Sequence, residues 1–448
     1  MSIVSAVPHR PDILEDDDMG IAHTGRAVVA LAAATALLAA CGSIGGADTE
    51  GYDGDPATLT WWHNGVDEPL NTYFAAVVEG FEAEYPGVTI ENVPVQNEEL
   101  KARLAQALET GDFPDVFQQW GGGQMGEQVV AGELLDLTDQ VRDQLELIGG
   151  SAAGWQLEGR TYGLPFSMGV EGFWYNRALF AQAGITETPM LQEQLDAVVQ
   201  QLKDAGIVPI AVGAGDGWPS AHYWYNYALR ACTPDTMVAA GETQDFSDPC
   251  FVKAGEDLAA FLATSPFQPD FLTTPAQQGA TSSAGLLANG GAAMELMGHW
   301  HPGVMSGLVE SGDGLGTDLG WFPFPMTEGG QGNANSALGG GDGFSCSVDA
   351  PPVCVDFLRY LLSVDVQTAY AETGAGLPVT MGSEAGVSDP NMAALLEFRN
   401  DASYVQLWLD VAYGSTVGGA LNDAIAQQFA GTGTAEGVVA AMRAAAGT

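Results

Sequence analysis

The sequence predicts an α/β fold on three observations. Strand and helix patterns alternate through its first part, and β-branched or aromatic runs stop at turn signals. The 448 residues are 46% hydrophobic, which suffices for roughly two or three cored domains. Leu59-Thr60-Trp61-Trp62 is the first β-type run and ends at the turn signal His63-Asn64-Gly65. Leu70, Phe74, Val77, Val78 and Phe81 then recur at helical spacing, and Tyr85-Pro86-Gly87 ends that helix. A strand from Val88 to Val95, a helix over residues 98 to 109 and a strand over 115 to 120 follow, closing on Gly121-Gly122-Gly123. Strand, helix, strand, helix, strand is the pattern of a mainly parallel sheet, which binds ligands beyond the carboxyl ends of its strands. His63, Asn64, Gln119, Trp120 and the triple glycine fall there.

A second unit opens at Tyr162-Gly163-Leu164-Pro165-Phe166 and runs into Phe173-Trp174-Tyr175-Asn176. Helices are predicted from about 177 and over 191 to 205, then a strand over 208 to 212. The aromatic loop Gly217-Trp218-Pro219-Ser220 precedes a helix over 222 to 231. Further helices fit residues 251 to 264, 283 to 289, 352 to 373, 391 to 399, 417 to 430 and 434 to 445.

Charge narrows the partners. Thirteen basic side chains against 57 acidic ones leave a formal net charge of −44. Nucleic acid is excluded as a partner because phosphate neutralisation needs Lys and Arg. Anionic lipid surfaces and phosphorylated ligands are disfavoured for the same reason.

The N-terminus reads as a processing segment. Residues 27 to 40, AVVALAAATALLAA, form an apolar run with Thr35 as its one polar member, a signal-peptide core too short to span a bilayer comfortably. Residues 1 to 18 are acidic rather than basic, so translation is expected to start at Met19. Leu38-Ala39-Ala40-Cys41-Gly42-Ser43 resembles a bacterial lipoprotein cleavage box, which makes Cys41 the lipidation site. Residues 41 to 56 then form the lipidated N-terminus and a Gly- and Asp-rich tether. The protein is expected outside the cytoplasm, held on the outer face of the plasma membrane.

Cysteine usage fits export. Four cysteines remain in the body, Cys232, Cys250, Cys346 and Cys354, and they allow three disulfide connectivities. The local pairs are expected, Cys232 with Cys250 across a surface loop and Cys346 with Cys354 across Pro351-Pro352. Zinc is the alternative, but no spacing is the paired C-x-x-C of structural zinc.

Several motifs stand in the order found in one family. They are residues 81 to 88 (FEAEYPGV), 111 to 116 (GDFPDV), 162 to 165 (YGLP), 174 to 180 (WYNRALF), 286 to 300 (LLANG to GHW) and 374 to 379 (GAGLPV), with Val417 to Phe429 near the end. Together they resemble the extracellular solute-binding proteins of bacterial ABC importers, the family whose best-known members bind maltose and other oligosaccharides. The resemblance covers about residues 57 to 448. It implies a two-lobe periplasmic-binding-protein-like fold of class II, with lobes joined by crossing hinge strands and ligand in the cleft. Residues 57–167 and 322–373 would form lobe 1, and residues 168–321 and 374–448 lobe 2. It further implies a monomeric, non-catalytic receptor without a cofactor, capturing a neutral oligosaccharide of two to four units for an ABC permease.

A sugar presents flat C–H faces and a ring of hydroxyls, so its site needs aromatic platforms with planar amides or carboxylates. Trp120, Trp174, Trp218 and Trp300 sit at strand ends or turns, where neighbouring glycines admit close approach to a ligand. A core position is the competing reading for any one of them. Trp62, Trp224, Trp321 and Trp408 lie in apolar runs and are assigned to packing. Asn64, Gln119, Asp216 and Asp342 are the candidate polar partners, with His222 as a hydroxyl donor, although turn chemistry competes for a loop Asp or Asn beside Gly. Neither glycine cluster continues into G-K-S/T. His299-Trp300-His301 lacks a third metal ligand, so no metal is expected. A secreted carbohydrate-active enzyme and the same fold binding a polyamine or another small solute are the alternatives. The first requires a carboxylate pair and turnover; the second would draw on the acidity of the chain.

Overall fold

The computed structural model describes residues 54–447. The apolar run over 27 to 40, Cys41 and most of the tether lie outside the described residues. Fourteen strands follow in chain order. They are β1 (Ala57–His63), β2 (Val88–Pro94), β3 (Val116–Gln119), β4 (Gln156–Leu157), β5 (Arg160–Thr161), β6 (Leu164–Pro165) and β7 (Gly169–Val170), then β8 (Gly172–Asn176), β9 (Ile210–Ala211), β10 (Met294–Met297), β11 (Leu319–Pro323), β12 (Ser336–Gly340), β13 (Gly343–Cys346) and β14 (Tyr404–Gln406).

The first sheet has the order β2-β1-β3-β13-β6. Its first three strands are parallel, as the βαβαβ pattern predicts, and β13 then pairs antiparallel with both β3 and β6. Because β13 runs the other way, its beginning lies at the edge where β1 and β3 end. That edge therefore gathers Asn64, Trp120 and Asp342 from three distant stretches of sequence. Beneath it Trp61 is fully buried, meeting Phe74, Phe344 and Phe357 edge-on with ring centroids 5.0, 5.4 and 5.0 Å away.

The second sheet has the order β11-β8-β10-β9. Against it packs the helix Trp218–Ala231, of which every residue after the first is buried. That helix begins at Trp218 rather than at 222. Pro219 fits its first turn, where a missing N–H costs nothing, so the aromatic loop is helical and Trp218 and His222 share one face.

The chain crosses between the sheets from β6 to β8 and again from β11 to β13. The crossings pair with each other in a third sheet, β14-β12-β7, through Gly339 with Val170 and Gly340 with Gly169. Phe322 and Pro323 belong to the second sheet beside Phe173 and Gly172, and the return to the first sheet comes only at Gly343. Gly341 permits the tight crossing, since a Cβ there would lie 1.8 Å from the Ser167 carbonyl oxygen.

Both local disulfides form, with Cα atoms 5.1 Å apart for Cys232–Cys250 and 6.2 Å apart for Cys346–Cys354. The segment inside the first pair is not a loop. Pro234–Thr243 is a helix, with Thr233 Oγ1 accepting from the Thr236 N–H at 3.1 Å as its cap. The single helix expected over 352 to 373 is two, Val353–Leu361 and Val364–Glu372, and Ser363 caps the second.

Candidate functional site

The first lobe's share of the site is a hydrogen-bonded chain at the sheet edge. Asn64 N–H donates to Gln118 Oε1 at 2.8 Å, and Gln118 Nε2 donates to Asp342 Oδ1 at 2.7 Å. Trp120 Nε1 donates to the same oxygen at 3.0 Å. Both donors converge on Oδ1, and Oδ2 has no hydrogen-bond partner among the described residues. Burial pushes the Asp342 carboxyl up to about 6, opposed by the hydrogen bonds from Trp120 and Gln118 and by the Lys101 charge. On the neighbouring helix Asn97–Thr110, Asn97 Oδ1 accepts from Asn64 Nδ2 at 3.4 Å, and Lys101 Nζ lies 5.7 Å from the Trp120 ring centroid.

The second lobe contributes an aromatic wall. Trp218 packs on His222 and meets Trp300 edge-on at 6.2 Å, while Trp300 meets Trp408 edge-on at 5.7 Å. Trp408 stacks on the His222 ring at 4.7 Å with planes 4° apart. His222 is oriented from behind by the buried Glu171, whose Oε1 lies 2.6 Å from Nδ1 and whose Oε2 accepts from Asn226 Nδ2 at 2.7 Å. Following Trp408, Asp410 reaches toward the first lobe, with Oδ2 3.5 Å from Lys101 Nζ. Of the side chains that line the cleft, two have a buried atom with no hydrogen-bond partner among the described residues, the acceptor Asp410 Oδ1 and the donor Trp300 Nε1.

Between these walls lies a cavity of about 130 Å³, many times the roughly 10–15 Å³ that a single water needs. Of the nine residues singled out in the sequence, six line it: Asn64, Trp120, Trp218, His222, Trp300 and Asp342. Three do not. Gln119 is buried, with Nε2 donating to Gln128 Oε1 at 2.6 Å and Oε1 accepting the Trp120 and Gly121 N–H groups. Strand alternation turns its neighbour Gln118 to the Asp342 side instead. Trp174 lies fully buried in the middle of β8, its indole N–H donating to the Gly298 carbonyl at 3.0 Å. The Asp216 side chain is not in a local turn bond either: its Oδ2 accepts from the N–H of Ala276, 60 residues on, at 2.9 Å and ties two loops together.

The triple glycine admits backbone rather than ligand. A Cβ on Gly122, at φ 67°, would sit 3.0 Å from Ala412 Cα, and one on Gly123 would sit 2.7 Å from Gly414 N. Helix Gly122–Ala131 thereby packs against the segment that carries Asp410. His299 and His301 are both buried; His301 Nε2 faces Glu295 Oε2 at 3.1 Å. Among the described residues no cluster of three metal-ligating side chains occurs. The sequence reading missed Trp408, Asp410, Asn97, Lys101 and Gln277, all of which line the cavity.

Two sheets, paired crossings and a cleft lined from both sides define a solute-binding protein. The model of the bacterial extracellular solute-binding protein family matches residues 66–368, and the chain belongs to that family, whose members are non-enzymatic binding proteins of transporters. An uncharacterised ABC transporter extracellular-binding protein of Pyrococcus horikoshii is 24% identical over 82% of each chain. A second protein of that name from the same organism is 27% identical, but there the chain spans only 57% of the relative's length. A multiple sugar-binding protein of Streptococcus mutans is 23% identical over half of each chain. Among solved structures, a chitin oligosaccharide binding protein superposes with a TM-score of 0.77 at 25% identity, covering 87% of this chain and 98% of that one. A maltose-bound protein of T. maritima shares the fold with a TM-score of 0.69 at 18% identity, over 86% and 98% of the chains.

Proposed function

We propose that this chain is the receptor of an ABC importer that captures an uncharged oligosaccharide of two to four units and hands it to the membrane permease. It would do so as a monomer, tethered through a lipidated Cys41 to the outer face of the plasma membrane. The observation that carries the reading is an aromatic wall, Trp218, Trp300 and Trp408, facing the polar edge of Asn64 and Asp342 across one cleft, with the buried cleft atoms Asp410 Oδ1 and Trp300 Nε1 lacking a partner among the described residues. Asp342 Oδ2 and Asp410 Oδ1 suit hydroxyl donors, Trp300 Nε1 suits a hydroxyl acceptor, and the indole faces suit C–H faces. Its resemblance to a chitin oligosaccharide binding protein and to a multiple sugar-binding protein supports this class.

A ligand touching both walls stabilises the closed arrangement by its differential affinity for it, which is the signal the permease would read. The test is thermal melting and calorimetry against neutral di- to tetrasaccharides, with uronic acids, phosphosugars and polyamines as controls and product analysis of every mixture. One oligosaccharide should raise the melting temperature and survive intact, with stabilisation of about 2.7 kcal/mol at a hundredfold excess over Kd. Product formation, or response to a phosphosugar alone, would refute the proposal.

A further inference from the structure

One buried carboxylate ties the aromatic wall of the cleft to the crossings. Glu171 follows β7, and its backbone N–H donates to the Leu338 carbonyl at 2.9 Å, extending the pairing of the two crossings. Its side chain is fully buried and meets the helix Trp218–Ala231 at two positions one turn apart. Oε1 lies 2.6 Å from His222 Nδ1, and Oε2 accepts from Asn226 Nδ2 at 2.7 Å. His222 lines the cleft and Glu171 does not.

A carboxylate can only accept hydrogen bonds, so the ring nitrogen that faces it carries the proton. With Nδ1 engaged in this way, Nε2 is the nitrogen left for a ligand, and in the neutral ring it offers a lone pair. The expected hydroxyl donor is thereby an acceptor. The ring is held against exchanging its two edges, because Trp408 stacks on it at 4.7 Å and Trp218 packs on it at 5.0 Å, and a flip would set a ring carbon against Oε1. Asn226 fixes the same choice. Its Nδ2 also donates to the His222 carbonyl at 3.1 Å, so turning the amide over would set its oxygen against two acceptors.

We propose that Glu171 is a positioning residue that fixes the tautomer of His222, so that Nε2 accepts a hydroxyl of the bound oligosaccharide. The assignment rests on the reading of the cleft as a sugar site. E171Q satisfies both neighbours in one orientation, its amide oxygen accepting from Asn226 and its amide N–H donating to His222 Nδ1, which moves the ring proton to Nε2. E171Q/N226D exchanges donor and acceptor between the two positions and should return the proton to Nδ1.

Long-range proton–nitrogen correlation spectra of the isotope-labelled full chain, at about pH 8 and so above the ordinary histidine value of about 6.5, read which nitrogen is protonated. The His222 signals are those lost in H222Q. Parent and double variant should show Nδ1–H, and E171Q should show Nε2–H. Calorimetry with the maltose and chitin-oligosaccharide series of two to four units then reads the consequence. A sugar that the parent binds should bind E171Q about tenfold or more weakly, since a donor would face the hydroxyl where an acceptor belongs, and E171Q/N226D should recover the affinity. A purely structural role for Glu171 would not make affinity follow the tautomer. Three results overturn the assignment: a proton on Nε2 in the parent, a tautomer that E171Q leaves unchanged, or a tautomer that inverts while the sugar binds as before. A parent that binds no sugar overturns the sugar-site reading instead, whichever nitrogen carries the proton.

Discussion

Asp342 is the residue on which the first lobe's polar network converges, and its ionisation links stability to binding. Burial raises its carboxyl from the ordinary 3.8 to about 6, so the folded chain holds that proton more tightly than the unfolded chain. The stability this confers is whole below about pH 4 and is lost as the pH rises through 6. Above that range the protein keeps a buried carboxylate at a cost of up to about 3 kcal/mol. D342N preserves an oxygen acceptor for Trp120 Nε1 and Gln118 Nε2 without the charge. It should therefore melt higher than the parent near neutral pH, with the gap closing toward pH 4, and it should bind sugar about tenfold more weakly for want of an ionised acceptor. Melting curves across pH check the first claim; a gap independent of pH would rule it out. On the opposite wall, Trp408 illustrates why aromatic residues are hard to sort from sequence. It sits in the apolar run Val405-Gln406-Leu407-Trp408-Leu409 and is 6% exposed, yet that small exposed edge lines the cleft. Burial fraction and role are separate quantities for an indole, which can pack one face and offer an edge.

At the scale of elements, the helix Trp218–Ala231 joins the wall of the site to the crossings. Its first turn supplies Trp218 and His222, and its last supplies Arg230, which is 2% exposed. Arg230 donates to the carbonyls of Phe324 at 2.8 Å and Ser336 at 2.8 Å, with a longer contact to Pro325 at 3.3 Å. Among the described residues no carboxylate forms an ion pair with the guanidinium, and burial pulls it down to about 10. Its task is to satisfy backbone acceptors where the chain leaves β11 and enters β12. R230M keeps the length and orphans those carbonyls, at about 1–3 kcal/mol each; chemical denaturation should show a loss of several kcal/mol, and a near-neutral result would mean that solvent reaches the carbonyls. The strands and helices read most easily were those with one buried face, such as β1 and the helix Leu70–Glu84, where periodicity carries the signal. Met294–Met297 and Gly343–Cys346 are buried on both faces, so they show no alternation. Helix Gly122–Ala131 was hidden by glycines that suit its packing rather than its propensity. Gln119 was chosen over Gln118 because nothing in the sequence states which face of β3 meets Asp342.

For the whole molecule, electrostatics decides which solutes the cleft admits. Two buried histidines set its acid limit: burial holds His63 down to about 4 and His299 down to about 3. The unfolded chain protonates its histidines near 6.5, so this contribution is whole above that value and is lost as the pH falls toward 4 and 3. Asp342, with Asp67 and Asp196, whose carboxyls burial also raises, opposes it only at lower pH, so the melting temperature should begin to fall as the pH drops below about 6.5. Near neutrality, −44 formal charges surround a cleft lined by Asp67, Glu68, Asp342 and Asp410, with Lys101 as its one lysine. Lys101 is already engaged by Asp410 at 3.5 Å and by Glu98 at 3.9 Å, so little positive charge is left for an anionic ligand. A uronic acid has the ring, the hydroxyls and the C–H faces of its neutral counterpart and differs by one carboxylate, which isolates the electrostatic term. A neutral oligosaccharide that binds should lose about tenfold or more in affinity when one unit is replaced by its uronic acid, a difference of about 1.4 kcal/mol. Because part of that repulsion comes from surface charges beyond the cleft, the gap should narrow as salt shortens the Debye length from about 30 Å at 0.01 M to about 8 Å at 0.15 M. Calorimetric titrations at the two salt concentrations measure both quantities. Equal affinities for the pair at low salt would mean that Lys101 abandons Asp410 for the ligand, and the lysine would then be the group that selects the solute.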